Sequence, residues 1–397
     1  MCLLKDIRKR GKIDMAKKLI SVWLSLTILL FSSISIYAEE NVQGDFFIKD
    51  IVINGEEIVN NHLQYPFFLY KDTTYFPLSP EMGKIFGFEA EMDYESRTLK
   101  LLKTEPTLKN ISDRWKKNDR EDVLTLVYED AKVLYYEPVK SEELEETNVD
   151  STTSRNGEIT AVLVTEEVRD EIIEIPELLV GEIDLGGLPM LTKGKVIYLP
   201  IRAMTGDSGF GWDIYFDSYT GVYVSTIEGT SAESFWNEAE SKYYQGLVNY
   251  IKKYNRSYTT SKAQELVFLF KRAGEANHID DRILIAVAHK ESTFNPSAKG
   301  SSGSLGIMQV MPATGRGYGL STSQLLDADT SINFGAMYLS AKIDGYSGDL
   351  VKAFSAYNQG NVSVNRGTYS TTYANRIIGT IDGINSYLTS NGYGLGN

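Results

Sequence analysis

The stretch that decides the fold runs from Asp280 to Pro312 and reads DDRILIAVAHKESTFNPSAKGSSGSLGIMQVMP. Asp280 is a suitable N-cap for a helix, and Leu284 and Ala288 recur behind it at helical spacing. Glu291 follows on the same apolar stripe. Because burial favours the protonated form of a carboxyl group, this pattern indicates a general acid. The pattern also fits a helix-end glutamate that is hydrogen-bonded to the next loop.

Two signals predict that the helix ends shortly after Glu291. Asn295 precedes Pro296, and the residue before a proline is disfavoured in the α region. The segment 300–306 then contains three glycines and three serines. Glycine lets the backbone approach a ligand closely, so this loop is a candidate wall of a binding cleft.

Four short blocks occur in order along the second half of the chain. They are ESTFNP from Glu291, GSLGIMQVMP from Gly303, NFGAMYL from Asn333 to Leu339 and AYNQG from Ala356 to Gly360. Together they resemble the soluble lytic transglycosylase (SLT) domain of the lysozyme-like superfamily. The resemblance implies an all-α, lysozyme-like catalytic domain over residues 261–397.

The resemblance also implies a reaction at the peptidoglycan glycan strand. Glu291 would protonate the oxygen of the β-1,4 bond between N-acetylmuramic acid (MurNAc) and N-acetylglucosamine (GlcNAc). It would then act as the base on the MurNAc 6-hydroxyl, which closes onto C1 as a 1,6-anhydro ring. The positions matching the family's substrate-binding residues are Ser301, Gln309, Met311, Tyr357, Asn358 and Tyr373. Alternatively, Met311 and Tyr357 belong to the core, and Gln309 satisfies loop backbone.

The chain departs from the family pattern at three places. Gly300, beside Ser301, stands where the family usually has serine, Tyr369 where it has glutamate, and Gln359 where it has alanine. These departures concern the support of Glu291 and leave the expected reaction class unchanged.

The sequence offers no second carboxylate in the loop after Glu291. The acids that follow it are Asp327, Asp329, Asp344, Asp349 and Asp382. Asp327 and Asp329 are more simply explained as an N-cap pair for the next helix. A single carboxylate suffices when the N-acetyl group of the substrate stabilises the oxocarbenium-like centre, since substrate-assisted routes exist.

Histidine and cysteine give no sign of metal or cofactor chemistry. The three histidines are His62, His278 and His289, and they do not have ligand spacing. His289 is badly placed to activate Ser292 as a nucleophile, because the two face different sides of one helix. Cys2 is the single cysteine, so we expect no disulfide. Together with the histidine spacing, this leads us to expect no metal and no cofactor.

Residues 1–38 are typical of a signal peptide. Lys17 and Lys18 precede an apolar run that ends at Ala38, where we expect cleavage; an uncleaved membrane anchor is the alternative. The whole chain carries −13, and the segment 1–38 carries +5, which leaves −18 on the rest. This charge argues against nucleic acid as a partner. We expect an extracytoplasmic protein that is secreted or cell-wall associated, or membrane-anchored if the signal stays.

Residues 39–228 are expected to form a β-rich domain that contains two half repeats. Tyr65–Leu78 and Leu188–Ile201 each place two prolines eleven residues apart, followed by Gly-Phe or Gly-Trp. The pattern is similar to the copper amine oxidase N-terminal-like domain, but we infer no copper. An acidic insertion near 141–157 separates the copies, and residues 229–260 are expected to be a helical connector.

The sequence therefore predicts an α+β multidomain protein, β-rich at the front and all-α in its catalytic part. We expect an exported lytic transglycosylase acting on peptidoglycan glycan strands. The alternatives are a muramidase that hydrolyses the same bond and a weakly catalytic wall-binding protein. The β-rich domain either binds a cell-wall or protein partner or serves as a spacer.

Overall fold

The computed structural model describes residues 41–107, 123–128, 131–138, 177–206 and 209–396. The expected signal segment 1–38 and the acidic insertion 141–157 lie outside the described residues. The order of elements confirms the predicted α+β class, with a β-rich part before an all-α part. Within the described ranges, no helix has the length and apolarity needed to cross a membrane.

Fifteen strands are described in the β-rich part. They are β1 (Asn41–Gln43), β2 (Asp45–Phe46), β3 (Asp50–Ile53), β4 (Glu56–Ile58), β5 (Phe68–Tyr70), β6 (Thr73–Pro77), β7 (Phe88–Asp93), β8 (Thr98–Lys103), β9 (Val123–Tyr128), β10 (Lys132–Pro138), β11 (Glu177–Glu182), β12 (Met190–Lys193), β13 (Val196–Pro200), β14 (Asp213–Phe216) and β15 (Gly221–Ser225). They form a seven-stranded sheet in the order β1-β9-β12-β13-β6-β5-β2, and two four-stranded sheets in the orders β11-β10-β8-β7 and β14-β15-β3-β4.

The two repeat copies form matching hairpins at the centre of the large sheet. Strands β5 and β6 make one hairpin, β12 and β13 make the other, and β6 pairs with β13 in antiparallel register. Helix α1 (Pro80–Phe86) follows the first hairpin, and a 3₁₀ turn (Ile201–Met204) follows the second. Each copy therefore forms a strand pair followed by a short helical turn, whereas the resemblance to the copper amine oxidase N-terminal-like domain stays a prediction.

The aromatic residues at the ends of the two repeats form the β-rich core. Phe86 stacks on Trp212 with ring centroids 4.4 Å apart, and Phe76 packs against both. A turn at Asn54 and Gly55 joins β3 to β4, and both residues have positive φ, as a tight hairpin requires.

Nine further helices form the all-α part that the structure describes. They are α2 (Glu238–Tyr254), α3 (Thr260–Asn277), α4 (Asp281–Ser292), α5 (Pro312–Gly317), α6 (Thr322–Leu325), α7 (Ala328–Gly345), α8 (Leu350–Gln359), α9 (Asn361–Asn365) and α10 (Thr372–Ser390), after a 3₁₀ turn at Ala232–Phe235. Helix α2, in the expected connector, shares one buried cluster with α3, α4, α7 and α10.

A buried ion pair joins the β-rich part to the helices. Lys271 on α3 donates to Asp50 at the start of β3 over 2.6 Å, and both side chains are more than nine-tenths buried. Glu240 lies 3.4 Å from the same ammonium group. Burial lowers the pKa of Lys271, but the charges of Asp50 and Glu240 raise it above its ordinary value. The cation therefore persists at neutral pH.

Candidate active site

Glu291 lies in the last turn of α4, at the end of its buried apolar stripe. Leu284, Val287 and Ala288 are fully buried on that stripe, and Glu291 itself is partly buried. Burial raises the pKa of the Glu291 carboxyl group, as the sequence pattern predicted. The negative end of the helix dipole disfavours a carboxylate at this place as well. The group is therefore suited to hold a proton.

Tyr373, in the first turn of α10, is the direct partner of Glu291. Its hydroxyl group donates to Oε1 of Glu291 over 2.5 Å. This hydrogen bond stabilises the carboxylate and lowers the pKa of Glu291, against the larger effect of burial. Burial and the charge of Glu291 raise the pKa of Tyr373 well above its ordinary value, so the phenol remains a donor. The phenol fixes the orientation of the carboxyl group.

Tyr357 lies near Glu291 but is hydrogen-bonded elsewhere. Burial, followed by the charge of Glu291, raises the pKa of Tyr357. Its hydroxyl group donates to the carbonyl oxygen of Met308 over 3.0 Å, and its ring packs edge-on against Tyr338 at 5.8 Å. Tyr357 thus ties helix α8 to the loop that follows α4.

Gln309 supports the Gly/Ser loop from inside. Its Nε2 donates to the carbonyl oxygens of Gly306 at 2.8 Å and Ala298 at 3.2 Å, while its Oε1 accepts from Ser304 at 2.7 Å. A Cβ at Gly300 would collide with the Ser304 hydroxyl oxygen, which explains the glycine there. These contacts agree with the alternative in which Gln309 satisfies loop backbone.

The remaining predicted binding residues lie at the surface. Ser301, Met311 and Asn358 are exposed, and Met311 shows 43% of its surface to solvent.

Three of the five carboxylates after Glu291 serve local structure. Asp327 caps α7 by accepting from the N–H of Thr330 over 2.9 Å, as the sequence predicted. Asp329 accepts from Asn333, and Asp349 caps α8. In the part of the chain that the structure describes, no second carboxylate affects the pKa of Glu291. The geometry therefore offers one acid, held by one phenol.

The histidines also have structural surroundings. His289 shares a hydrogen bond of 2.8 Å with the hydroxyl group of Tyr250, and burial lowers its pKa to about 4. Over the described residues, no three His, Cys, Asp or Glu side chains come together as a metal site. Ser292 donates to the carbonyl oxygen of Ile307 over 2.8 Å, which joins the end of α4 to the next loop.

Sequence reasoning missed Ser304, Asn255 and Tyr258. Ser304 lies in a run of similar serines, and only its position against Gln309 distinguishes it. Asn255 and Tyr258 donate to the backbone just after Glu291 from a segment more than thirty residues earlier, which no local pattern reveals.

The helical part of the chain is similar to known proteins. Residues 268–377 match the family model of the transglycosylase SLT domain. The peptidoglycan transglycosylase gp16 of Escherichia phage T7 is 38% identical over 97 residues, which are 23% of this chain and 7% of that protein. The soluble lytic murein transglycosylase of Escherichia coli K12 is 36% identical over 101 residues, covering 23% of this chain and 16% of that protein.

A third relative and one solved structure extend the comparison. The membrane-bound lytic murein transglycosylase C of Haemophilus influenzae PittEE is 31% identical over 121 residues, covering 26% of this chain and 34% of that protein. The crystal structure of the 70 kDa soluble lytic transglycosylase of Escherichia coli aligns with 42% of this chain and 34% of its own, at 23% identity and a TM-score of 0.29. The chain spans well under half the length of these relatives.

Proposed function

We propose that this protein is a lytic transglycosylase that cleaves the β-1,4 bond between MurNAc and GlcNAc in peptidoglycan and leaves 1,6-anhydro-MurNAc ends. The observation that carries the proposal is a single partly buried acid, Glu291, held by the Tyr373 phenol inside an SLT domain. The curated relatives, named as transglycosylases of murein or peptidoglycan, support the substrate class.

The first step needs a proton on the carboxyl oxygen that faces the substrate. Because Tyr373 donates to Oε1 of Glu291, the proton of the neutral acid belongs on Oε2. Glu291 transfers this proton to the glycosidic oxygen as the bond to C1 of MurNAc breaks, and the GlcNAc hydroxyl leaves. Burial raises the pKa of Glu291, which increases the protonated fraction of the acid at a given pH.

The second step returns the proton to Glu291. The carboxylate accepts the proton of the MurNAc 6-hydroxyl while that oxygen bonds to C1 and closes the anhydro ring. The N-acetyl group of the substrate stabilises the electron-poor centre between the steps. No water enters the product, and the acid is restored for the next cycle.

The surroundings of Glu291 have supporting roles in this proposal. The exposed residues Ser301, Met311 and Asn358 contact the glycan strand, and the Tyr357 and Gln309 side chains hold the cleft wall. The protein acts outside the cytoplasm, where its substrate is, after export by residues 1–38. The β-rich part positions the enzyme at the wall, directly or through a protein partner.

The test is mass spectrometry of peptidoglycan digested by the chain without residues 1–38, beside its Glu291→Gln and Asp281→Asn variants. We expect anhydro-muropeptides from the first and from Asp281→Asn, and none from Glu291→Gln. Reducing MurNAc ends instead would establish hydrolysis by a muramidase. Binding to peptidoglycan with no product would leave a wall-binding protein and end the enzyme proposal.

A further inference from the structure

The backbone just after Glu291 has an unfavourable conformation. Thr293 and Phe294 have φ angles of 53° and 62°, in the left-handed region that suits glycine. Threonine is β-branched and phenylalanine is bulky, so two such residues in succession persist only where the surroundings hold them. The turn they form ends helix α4 two residues beyond Glu291.

This turn closes the last turn of α4 through its own N–H groups. The N–H of Thr293 donates to the carbonyl oxygen of His289 over 3.1 Å, and that of Phe294 to Ala288 over 3.3 Å. The Thr293 bond is an ordinary i→i−4 helical bond, whereas the Phe294 bond requires positive φ at Thr293. If Thr293 relaxed to negative φ, the Phe294 bond would be lost and the end of the turn that carries Glu291 would fray. Water would then reach the carboxyl group.

Two side chains from the segment between α2 and α3 hold the strained turn. Nδ2 of Asn255 donates to the carbonyl oxygen of Thr293 over 2.9 Å. The hydroxyl group of Tyr258 donates to the carbonyl oxygen of Phe294 over 2.7 Å. Oδ1 of Asn255 accepts from the N–H and the hydroxyl group of Ser257, which orients its amide. Both residues precede the region 268–377 that matches the SLT family model.

The ring of Phe294 provides the second support. It is fully buried and stacks on His289 with ring centroids 5.4 Å apart. Since burial lowers the pKa of His289 to about 4, this ring stays neutral over the pH range of the proposed activity. The aromatic packing alone leaves the two carbonyl groups free to turn, so the hydrogen bonds from Asn255 and Tyr258 decide the backbone conformation.

We propose that Asn255 and Tyr258 are positioning residues that clamp the turn at Thr293 and Phe294, and thereby hold the Glu291 carboxyl group dry and against Tyr373. The catalytic consequence rests on the proposed function, whereas the effect on Glu291 itself does not. The segment before the SLT match is, in this proposal, a part of the active-site support.

The direct test is ¹³C NMR titration of glutamate side-chain carboxyl groups in the full chain, with Glu291→Gln to assign the signal. In Asn255→Ala we expect the pKa of Glu291 to fall towards the ordinary glutamate value, because the carboxyl group becomes hydrated. Tyr258→Phe, which removes one hydroxyl group, should move it in the same direction by less. Lys252→Ala is the matched control. Lys252 at the end of α2 donates to Thr260 at the start of α3, across the same segment, and has no hydrogen bond to the turn.

The kinetic test uses peptidoglycan cleavage over a pH series. We expect Asn255→Ala to lower kcat about tenfold with little change in KM, and to move the alkaline limb of the profile to lower pH. A merely structural role would lower the melting temperature and leave the pH profile in place.

A glycine at position 293 tests whether the effect of Asn255→Ala acts through the backbone of the turn. Thr293→Gly adopts positive φ without strain, so the double variant Asn255→Ala/Thr293→Gly should recover the pKa of Glu291 and the pH profile. An unchanged pKa in Asn255→Ala, or no recovery in the double variant, would overturn the clamp. If the unaltered chain makes no product, the proposed function fails, and the NMR titration still tests the clamp.

Discussion

Each end of helix α4 carries a carboxyl group that accepts a hydrogen bond from a tyrosine hydroxyl group, but the surroundings of the two pairs differ. At its start, Asp281 accepts from the hydroxyl group of Tyr243 over 2.5 Å; at its end, Glu291 accepts from Tyr373 over the same distance. Burial raises the pKa of both acids, that of Asp281 to about 6. A phenol beside an acid with a raised pKa therefore does not by itself identify a catalytic group.

The surroundings separate the two acids. Asp281 lies at the positive end of the helix dipole, beside Asp280 and the cation of Arg282, which lowers the pKa of Asp281. Glu291 lies at the negative end, and among the described residues no cation contributes to its pKa. The Gly/Ser loop, 300–306, begins nine residues after Glu291. The comparison shows that Glu291, unlike Asp281, has no neighbouring cation to oppose the effect of burial on its pKa.

The largest expected effect comes from removing the two acids in turn. Glu291→Gln should lower the rate of glycan cleavage by about 10³-fold or more, because the amide cannot donate and recover a proton. Asp281→Asn should change the rate by less than about twofold, since this end of the helix is remote from the cleft loop. Cleavage rates beside melting temperatures check both. Equal losses in the two variants would refute the distinction between the ends of the helix.

Removing the hydroxyl group of Tyr373 or of Tyr243 should separate the two ends of the helix by a smaller difference in cleavage rate. Tyr373→Phe removes the hydrogen bond that stabilises the Glu291 carboxylate, so the pKa of Glu291 should rise. The alkaline limb of the pH profile should then move to higher pH, and kcat should fall about tenfold because the carboxyl group loses its orientation. Tyr243→Phe is the control and should leave the profile unchanged. A shift to lower pH in Tyr373→Phe would contradict the assigned role of the phenol.

A separate effect concerns stability at the start of α4. The folded pKa of Asp281, about 6, lies above its ordinary value of 3.8, so this group favours folding when protonated. Its contribution is fully present below pH 3.8 and is lost as pH rises through about 6. Asp281→Asn should therefore gain about 2 kcal/mol relative to the unaltered chain between acid and neutral pH. Urea unfolding at about pH 4 and about pH 7.5 measures this difference, and a constant difference at both pH values would count against it.

Sequence reasoning reached Glu291 because local rules govern that part of the chain. The apolar stripe, the Asp280 cap and the Asn295-Pro296 stop predicted a helix that begins after Asp280 and ends shortly after Glu291, as α4 does. Helix α6 was missed because it is a single turn started by the capping box of Ser321 and Gln324, without an apolar period. Helix α9, five residues long, was missed for the same lack of period.

The contacts that complete the site were harder to predict, because they join distant segments. Tyr373 lies 82 residues after Glu291, and only the family resemblance suggested that they meet. The inward direction of the Gln309 side chain follows from its positive φ of 49°, which a residue pattern does not show. Asn255 reaches Thr293 across 38 residues and carried no signal at all.

The buried Lys271–Asp50 ion pair attaches the β-rich part directly to the helices, which a flexible linker would not do. A flexible linker would let the enzyme search a volume whose radius grows with the square root of its length. A buried charge pair, with Gln264 and Arg272 of α3 also donating to backbone of the β-rich part, instead carries a mechanical load directly from one part to the other. These contacts fix the β-rich part against helix α3.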